Sequence, residues 1–319
     1  GSTRPGHVNA GAHRGSQAAR AACPPRRDRR QPVCMQPVPL TTAPDAHICD
    51  VLIAERAPRL TGSVFWPALR PFFYRLLGYH HARTMADAVG PLSGLEAFGH
   101  MSDLLVLKVA AHNLDRIPAT GRCVVVCNHP TGIADGIAVH DAVSRRRPDA
   151  IFFANADALR VAPRLSETVI PVEWVVAKRT REKTRLTLLA AKEAFEAERC
   201  VVLFPAGRIS RVGPDGALAD PIWAATAASL ARKYAAPVVP IHVAGPRSHL
   251  FHLFHRISDE LRDITLFHEL LNKQGKAFRL HVGRPVDPAG LPADATEATL
   301  ALKTFTERVL AHQPDADFA

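Results

Sequence analysis

Val124-Val125-Val126-Cys127-Asn128-His129-Pro130-Thr131-Gly132-Ile133-Ala134-Asp135-Gly136 is the stretch from which the rest of the chain can be read. An apolar, β-branched run stops at Asn-His-Pro, a turn of small residues follows, and a helical pattern opens near Asp135-Gly136. The run predicts a buried strand and the continuation predicts a helix. One imidazole therefore stands at a strand end and one carboxylate at a helix start. A carboxylate beside a histidine fixes its tautomer and stabilises its imidazolium, which is how general bases are commonly made. The same residues also allow plainer roles, with Asp135 as a helix cap and His129 as a loop residue without chemistry.

Working outward, short apolar runs at 104–110, 122–127, 151–154, 169–172, 201–204, 238–243 and 278–282 predict strands. Helical patterns occupy 136–146, 180–198, 222–234, 257–271 and 295–311. In 257–271 the residues Ile257, Leu261, Ile264, Leu266, Phe267, Leu270 and Leu271 form one stripe. Strands alternating with helices predict an α/β layered domain on a central, largely parallel sheet of about seven strands. Sheets of this kind carry their sites at the carboxyl ends of strands, where His129 falls.

A second loop also follows a strand: Phe204-Pro205-Ala206-Gly207-Arg208-Ile209-Ser210-Arg211. Gly207 allows close backbone approach, while Arg208, Ser210 and Arg211 offer donors suited to a phosphate or carboxylate. Asn155, just past the third strand, either lines a substrate pocket or simply turns the chain. His242 reads as a core or edge residue, and Arg145-Arg146-Arg147 as a solvated helix end.

The net charge of +10 is uneven: residues 1–34 hold seven Arg and one Asp, which leaves the remainder mildly basic. A basic body suits work near anionic headgroups. Aromatic residues make up 6% and are not interleaved with basic ones, which argues against a nucleic-acid stacking surface. The six cysteines, Cys23, Cys34, Cys49, Cys123, Cys127 and Cys200, lack metal-ligand spacing and read as reduced core thiols. Residues 1–48, rich in Arg, Pro, Ala and Gly, predict a disordered extension without a signal peptide, and Met35 is a possible natural start. Residues 49–101 read as a helical segment, 102–290 as the main domain and 291–319 as a C-terminal helix and tail. Within the first of these, 60–79 is aromatic, broken by proline and studded with Arg70 and Arg75. It predicts either an interfacial segment on an anionic membrane or an ordinary helical cover. No uncharged run reaches spanning length, so the expected location is peripheral, on the cytoplasmic face of a membrane.

Taken together, Asn128-His129-Pro130-Thr131-Gly132-Ile133-Ala134-Asp135-Gly136, the Phe204–Ser210 loop, Val239-Pro240-Ile241, 251–258 and Glu269-Leu270-Leu271-Asn272-Lys273 resemble the glycerophospholipid (1-acylglycerol-3-phosphate type) acyltransferase family. The likeness is greatest to the hemolysin-like or lyso-ornithine-lipid acyltransferase branch. It extends over roughly 104–286. The resemblance implies acyl transfer from acyl-CoA or acyl-carrier protein to the hydroxyl of a lysolipid, with His129 as general base, Asp135 as its orienting partner and no cofactor beyond the thioester co-substrate. It implies acceptor binding by Asn155, Gly207, Arg208, Ser210 and Arg211, with backbone amides near Gly132 or Gly207 as oxyanion donors. The commonest family pattern has four residues between His and Asp, whereas five separate them here. The family's Phe-Pro-Glu-Gly-Thr-Arg loop also has Ala206, Arg208 and Ile209 in place of its Glu, Thr and Arg, which points away from lysophosphatidate as the acceptor. Cys127, two residues from His129, is expected to face the core rather than act as a nucleophile. Two other classes are compatible with parts of the sequence: a non-catalytic lipid-binding protein of the same fold and a metal-dependent phosphohydrolase using His129, Asp135, His140 and Asp141.

Overall fold

The computed structural model describes residues 46–173, 178–213 and 216–318. The extension expected over 1–48, together with Cys23, Cys34 and Met35, falls almost wholly outside the described residues. A helical segment comes first: α1 (Ile48–Arg56), α2 (Pro58–Thr61), α3 (Trp66–Leu76), α4 (Tyr79–Val89) and α5 (Gly94–Leu105). The α/β body follows with β1 (Lys108–His112), β2 (Cys123–Cys127), α6 (Ile133–Val143), β3 (Ile151–Asn155), α7 (Asp157–Val161), β4 (Val169–Val172), α8 (Arg181–Glu196) and β5 (Cys200–Leu203). A short hairpin, β6 (Arg211–Val212) and β7 (Leu218–Ala219), leads to α9 (Thr226–Lys233) and β8 (Val238–Ala244). After it come α10 (His249–His255), α11 (Asp259–Asp263), α12 (Leu266–Leu271) and β9 (Ala277–Val282). The last helix, α13 (Ala295–Thr304), runs through a π turn at Phe305–Val309 into α14 (Leu310–His312).

The seven-stranded sheet has the order β1-β9-β8-β2-β5-β3-β4. Neighbours are parallel except β8 and β9, so β4, β3, β5, β2 and β8 share one direction and the β9–β1 pair is reversed. β2 lies between β8 and β5, and its side chains alternate between two fully covered faces. Val125 packs with Cys123 and Cys127 beneath α6 and the N-terminal helices, while Val124 and Val126 pack against Phe195 of α8, Ala227 and Ala228 of α9 and Leu302 of α13. Burial on both faces explains why the strand reads as a continuous apolar run.

The structure corrects three local expectations. Residues 104–105 end a helix rather than start a strand. Ser93 and Glu96 form a reciprocal capping box that nucleates α5, and Val106, at φ +46°, turns the chain before β1 begins at Lys108. The stripe over 257–271 is interrupted: Ser258 is extended (φ −160°), and the Thr265 hydroxyl donates to the Arg262 carbonyl (2.6 Å), separating α11 from α12. Ile264, Phe267 and Leu270 are buried, but Ile257 is 65% exposed. Arg147 is not solvated. It is buried, forks onto Asp149 (2.7 Å for each bond) and donates to the carbonyls of Pro118, Gly121 and Glu198, which satisfies a guanidinium in the interior.

Helix α3 and the two residues before it present two different faces. Trp66, Phe73 and Tyr74 pack on the core, while Phe65 (69% exposed), Phe72 (61%), Val64 and Leu69 face outward beside exposed Arg70 and Arg75. Among the described residues, no helix is long and apolar enough to cross a membrane.

Candidate active site

Asn128, one residue past β2, ties the two central strands together. Its amide donates to the Val243 carbonyl (2.9 Å) and its oxygen accepts the Val243 N–H (2.6 Å), which fixes the backbone from which His129 projects. Gly132 takes φ +92°, a conformation that glycine adopts without strain, and this lets the chain turn sharply into α6. Asp135, on the first turn of α6, then points back. Its Oδ2 accepts the amides of Thr131 (2.8 Å) and Gly132 (3.0 Å), and its Oδ1 accepts the Thr131 hydroxyl (2.6 Å).

The same Oδ2 lies 3.0 Å from His129 Nδ1, at an angle too bent for a hydrogen bond. Asp135 is wholly buried, whereas the imidazole retains 16% exposure. With Nδ1 facing the carboxylate, Nε2 is the nitrogen left for a reacting group. Asp135 thus caps the turn and faces the imidazole at once. The Phe204 ring, 4.6 Å from the imidazole between centroids, covers its side.

The second loop packs directly against the first. The Ser210 amide donates to the His129 carbonyl (2.8 Å), and the Ser210 hydroxyl donates to Asp220. Asp220, which the sequence reading missed, joins the assembly. Its carboxylate accepts the His129 amide (3.1 Å to each oxygen) and Trp223 Nε1–H (2.8 Å). Burial pushes the Asp220 carboxyl above its ordinary range, opposed by its hydrogen bonds from Ser210 and Trp223. Ser210 is therefore bound into the support of His129.

Gly207 closes its turn at φ +59°, with its amide donating to the Phe204 carbonyl (2.9 Å). Of the backbone amides expected near Gly132 or Gly207 as oxyanion donors, those of the two glycines themselves are engaged with protein acceptors. Arg208 is exposed and makes no ion pair among the described residues. Arg211 has a buried Nε without a hydrogen-bond partner among the described residues. Burial, with Arg262 and Arg208 nearby, holds its pKa below the usual arginine value. Arg262, another residue the sequence reading missed, comes from α11 and is bonded to Asp259 and Asp263.

Asn155 ends β3, the strand beside β5. Its Oδ1 accepts the Asp157 amide (2.9 Å), which shapes the turn into α7. His140 stacks on Phe98, 4.4 Å between centroids, and lies 3.4 Å from Asp141. Cys127 is fully buried, and burial, with Asp135 and Asp220 nearby, pushes its thiol well above the ordinary range, which removes the thiolate a nucleophile needs. His242 lies in β8, where its Nδ1 meets the Thr306 carbonyl at 3.0 Å.

Comparison with known proteins agrees with the resemblance read from the sequence. Residues 108–244 match the family model described as Acyltransferase. The lyso-glycine lipid O-acyltransferase of Phocaeicola vulgatus is 26% identical over 199 residues, covering 60% of this chain and 69% of that protein. The protein of the same name from Bacteroides thetaiotaomicron is 23% identical over 199 residues, covering 60% and 71%. Among solved structures, the 1-acyl-sn-glycerophosphate (LPA) acyltransferase PlsC of Thermotoga maritima matches 83% of this chain and 95% of its own, at 17% identity and a TM-score of 0.44.

Proposed function

We propose, from the match of residues 108–244 to the Acyltransferase family model, that the chain moves a fatty acyl group from a thioester, acyl-CoA or acyl-carrier protein, to the hydroxyl of a lysolipid with an anionic headgroup. The observation that carries this reading is the His129–Asp135 pair, 3.0 Å apart at the carboxyl end of β2, with the Arg208/Arg211 loop fastened to it through Ser210.

His129 Nε2 takes the proton of the acceptor hydroxyl as that oxygen attacks the thioester carbonyl. Asp135 orients the ring and offsets the charge of the imidazolium. Collapse of the tetrahedral intermediate breaks the carbon–sulfur bond, and the proton held on His129 passes to the departing thiolate. The products are the ester and the free thiol, and no acyl-enzyme forms. Arg211, whose buried Nε has no hydrogen-bond partner among the described residues, and exposed Arg208 attract the acceptor's headgroup. Helix α3 lays Phe65, Phe72 and Leu69 into an anionic membrane surface, with Arg70 and Arg75 at headgroup level, so that the chain works as a peripheral protein.

The reading is tested by supplying labelled acyl-CoA and acyl-carrier protein with lyso-glycine lipid, lyso-ornithine lipid and lysophosphatidate. Label should appear in an acylated lipid from at least one pairing, and Arg211→Ala should raise the KM of that acceptor more than that of the donor. Absence of label from every pairing would reject acyl transfer to these lysolipids.

A further inference from the structure

The Glu269–Lys273 motif and the segment after β8 have no role in the chemistry above, yet they build a second basic site beside it. Lys273 and Glu269 form an ion pair (2.8 Å), each side chain only 2% exposed, and Lys273 Nζ also donates to the buried Ser248 hydroxyl (3.0 Å). Burial opposes ionisation of Glu269, but the adjacent Lys273 ammonium prevails and holds its carboxyl below the ordinary range. The pair is electrically closed and pins the chain between β8 and α10 against α12. A removed partner would leave an uncompensated charge in the interior, which is costly.

On the outer side of that pair lies a cleft of about 390 Å³. Pro246, Arg247, His249, His268, Asn272 and Lys276 line it. Arg247 and Lys276 are exposed and make no ion pair among the described residues, and no carboxylate lines the cleft. The cleft therefore presents uncompensated positive charge together with imidazole and amide donors. Its volume lies in the ordinary range for small-molecule sites.

Its place relative to His129 gives it meaning. The cleft begins one residue beyond Gly245, whose backbone presses on the turn that holds Asp135: a Cβ at Gly245 would lie 2.7 Å from Thr131 Cγ2. Arg208 and Arg211 follow β5, and the cleft follows β8. The Arg208/Arg211 loop and the cleft therefore follow the two strands that flank β2, the strand that carries His129. A transfer between two anionic substrates needs two such sites, and the β5 side is assigned above to the acceptor.

We propose that the cleft formed by Arg247, His249, His268, Asn272 and Lys276 binds a phosphate group of the acyl donor, the chemistry shared by CoA and by the phosphopantetheine arm of a carrier protein. The proposal rests on the acyltransferase reading, and the experiment separates the two. Free CoA, dephospho-CoA and 4′-phosphopantetheine are titrated into the full chain and into the Arg247→Ala/Lys276→Ala double variant, both positions being exposed. Wild type should bind CoA, and the double variant should bind it about tenfold more weakly, the effect of losing two partly solvated phosphate contacts. The difference should shrink at about 0.5 M salt. A tenfold loss shared by 4′-phosphopantetheine places the arm's phosphate in the cleft, and a loss confined to CoA places the nucleotide phosphates there. Donor KM should rise by the same factor, with kcat and acceptor KM within twofold. Undiminished CoA affinity in the double variant, or no CoA or phosphopantetheine binding to wild type, overturns the proposal while leaving acyl transfer to its own assay. A tenfold loss of binding in a protein that transfers no acyl group keeps the phosphate site and overturns the acyltransferase reading.

Discussion

Asp220 holds the two active-site loops together, and replacing it tests whether their alignment governs turnover. Three donors converge on its buried carboxylate: the His129 amide, the Ser210 hydroxyl and the Trp223 indole N–H. In Asp220→Ala all three lose their acceptor in a site closed to water. An unsatisfied buried polar group costs about 1–3 kcal/mol, so the variant should lose at least about 3 kcal/mol in total. Asp220→Asn should lose less, about 1–3 kcal/mol. Its oxygen can serve Trp223, which only donates, and its NH2 can face Ser210, whose hydroxyl can turn to accept. One side of the His129 amide then meets a donor. For catalysis the consequence should be a fall in turnover on the order of 10²-fold, the cost of displacing a catalytic group by about 1 Å. Urea denaturation should therefore rank wild type above Asp220→Asn above Asp220→Ala. Steady-state acyl transfer should show the loss mainly in kcat, with both KM values little changed. An Asp220→Asn protein with wild-type kcat and wild-type stability would refute the argument, since it would show that the three donors do not need this carboxylate.

Gly132→Ala forces an L residue to φ +92° and brings its Cβ within 2.9 Å of the Ile209 side chain, so it should lose about 1–2 kcal/mol in denaturation and at least tenfold in kcat; wild-type values in both would dismiss the close approach of the loops. His242 supplies a pH dependence of stability. Burial holds its pKa down to about 4, so the folded chain binds a proton less readily than the unfolded chain. Its contribution is then complete above the unfolded value near 6.5 and is lost as pH falls towards 4, by about 3 kcal/mol in all. Denaturation of His242→Gln between pH 7 and 4 should show a flatter slope than wild type, and an identical slope would reassign the effect to other groups.

The order of strands and helices was legible wherever burial left a simple pattern. β2 is covered on both faces and reads as unbroken Val-Val-Val, and α8 and α9 carry clear apolar stripes. The irregular parts obeyed side chains that act locally. The capping box at Ser93 and Glu96 carried a helix to Leu105 across residues whose composition suits a strand, and the Thr265 hydroxyl split a stripe that looked continuous. Arg147 looked solvated because a charged triplet gives no sign that distant carbonyls will meet it. The candidate site divides in the same way. His129 and Asp135 lie on one turn, and their spacing alone brings them together. Asp220 lies 91 residues from His129 in a stretch without strand or helix pattern, and only the packed fold shows that it holds the histidine's backbone. Arg262 belongs to a helix whose sequence advertises only its ion pairs with Asp259 and Asp263. Asn155, at a strand end like His129, accepts the Asp157 amide, since an Asx side chain satisfies its own loop readily.

The most direct measurement of the central claim is the single-turnover rate of acyl transfer from thioester to lysolipid in wild type and in His129→Ala, with both substrates saturating. The account predicts a fall of about 10²–10⁴-fold in the variant, with little change in donor or acceptor affinity, because the histidine moves a proton and does not hold either substrate. A variant that transfers the acyl group at nearly the wild-type rate would contradict the assignment of His129 as the base.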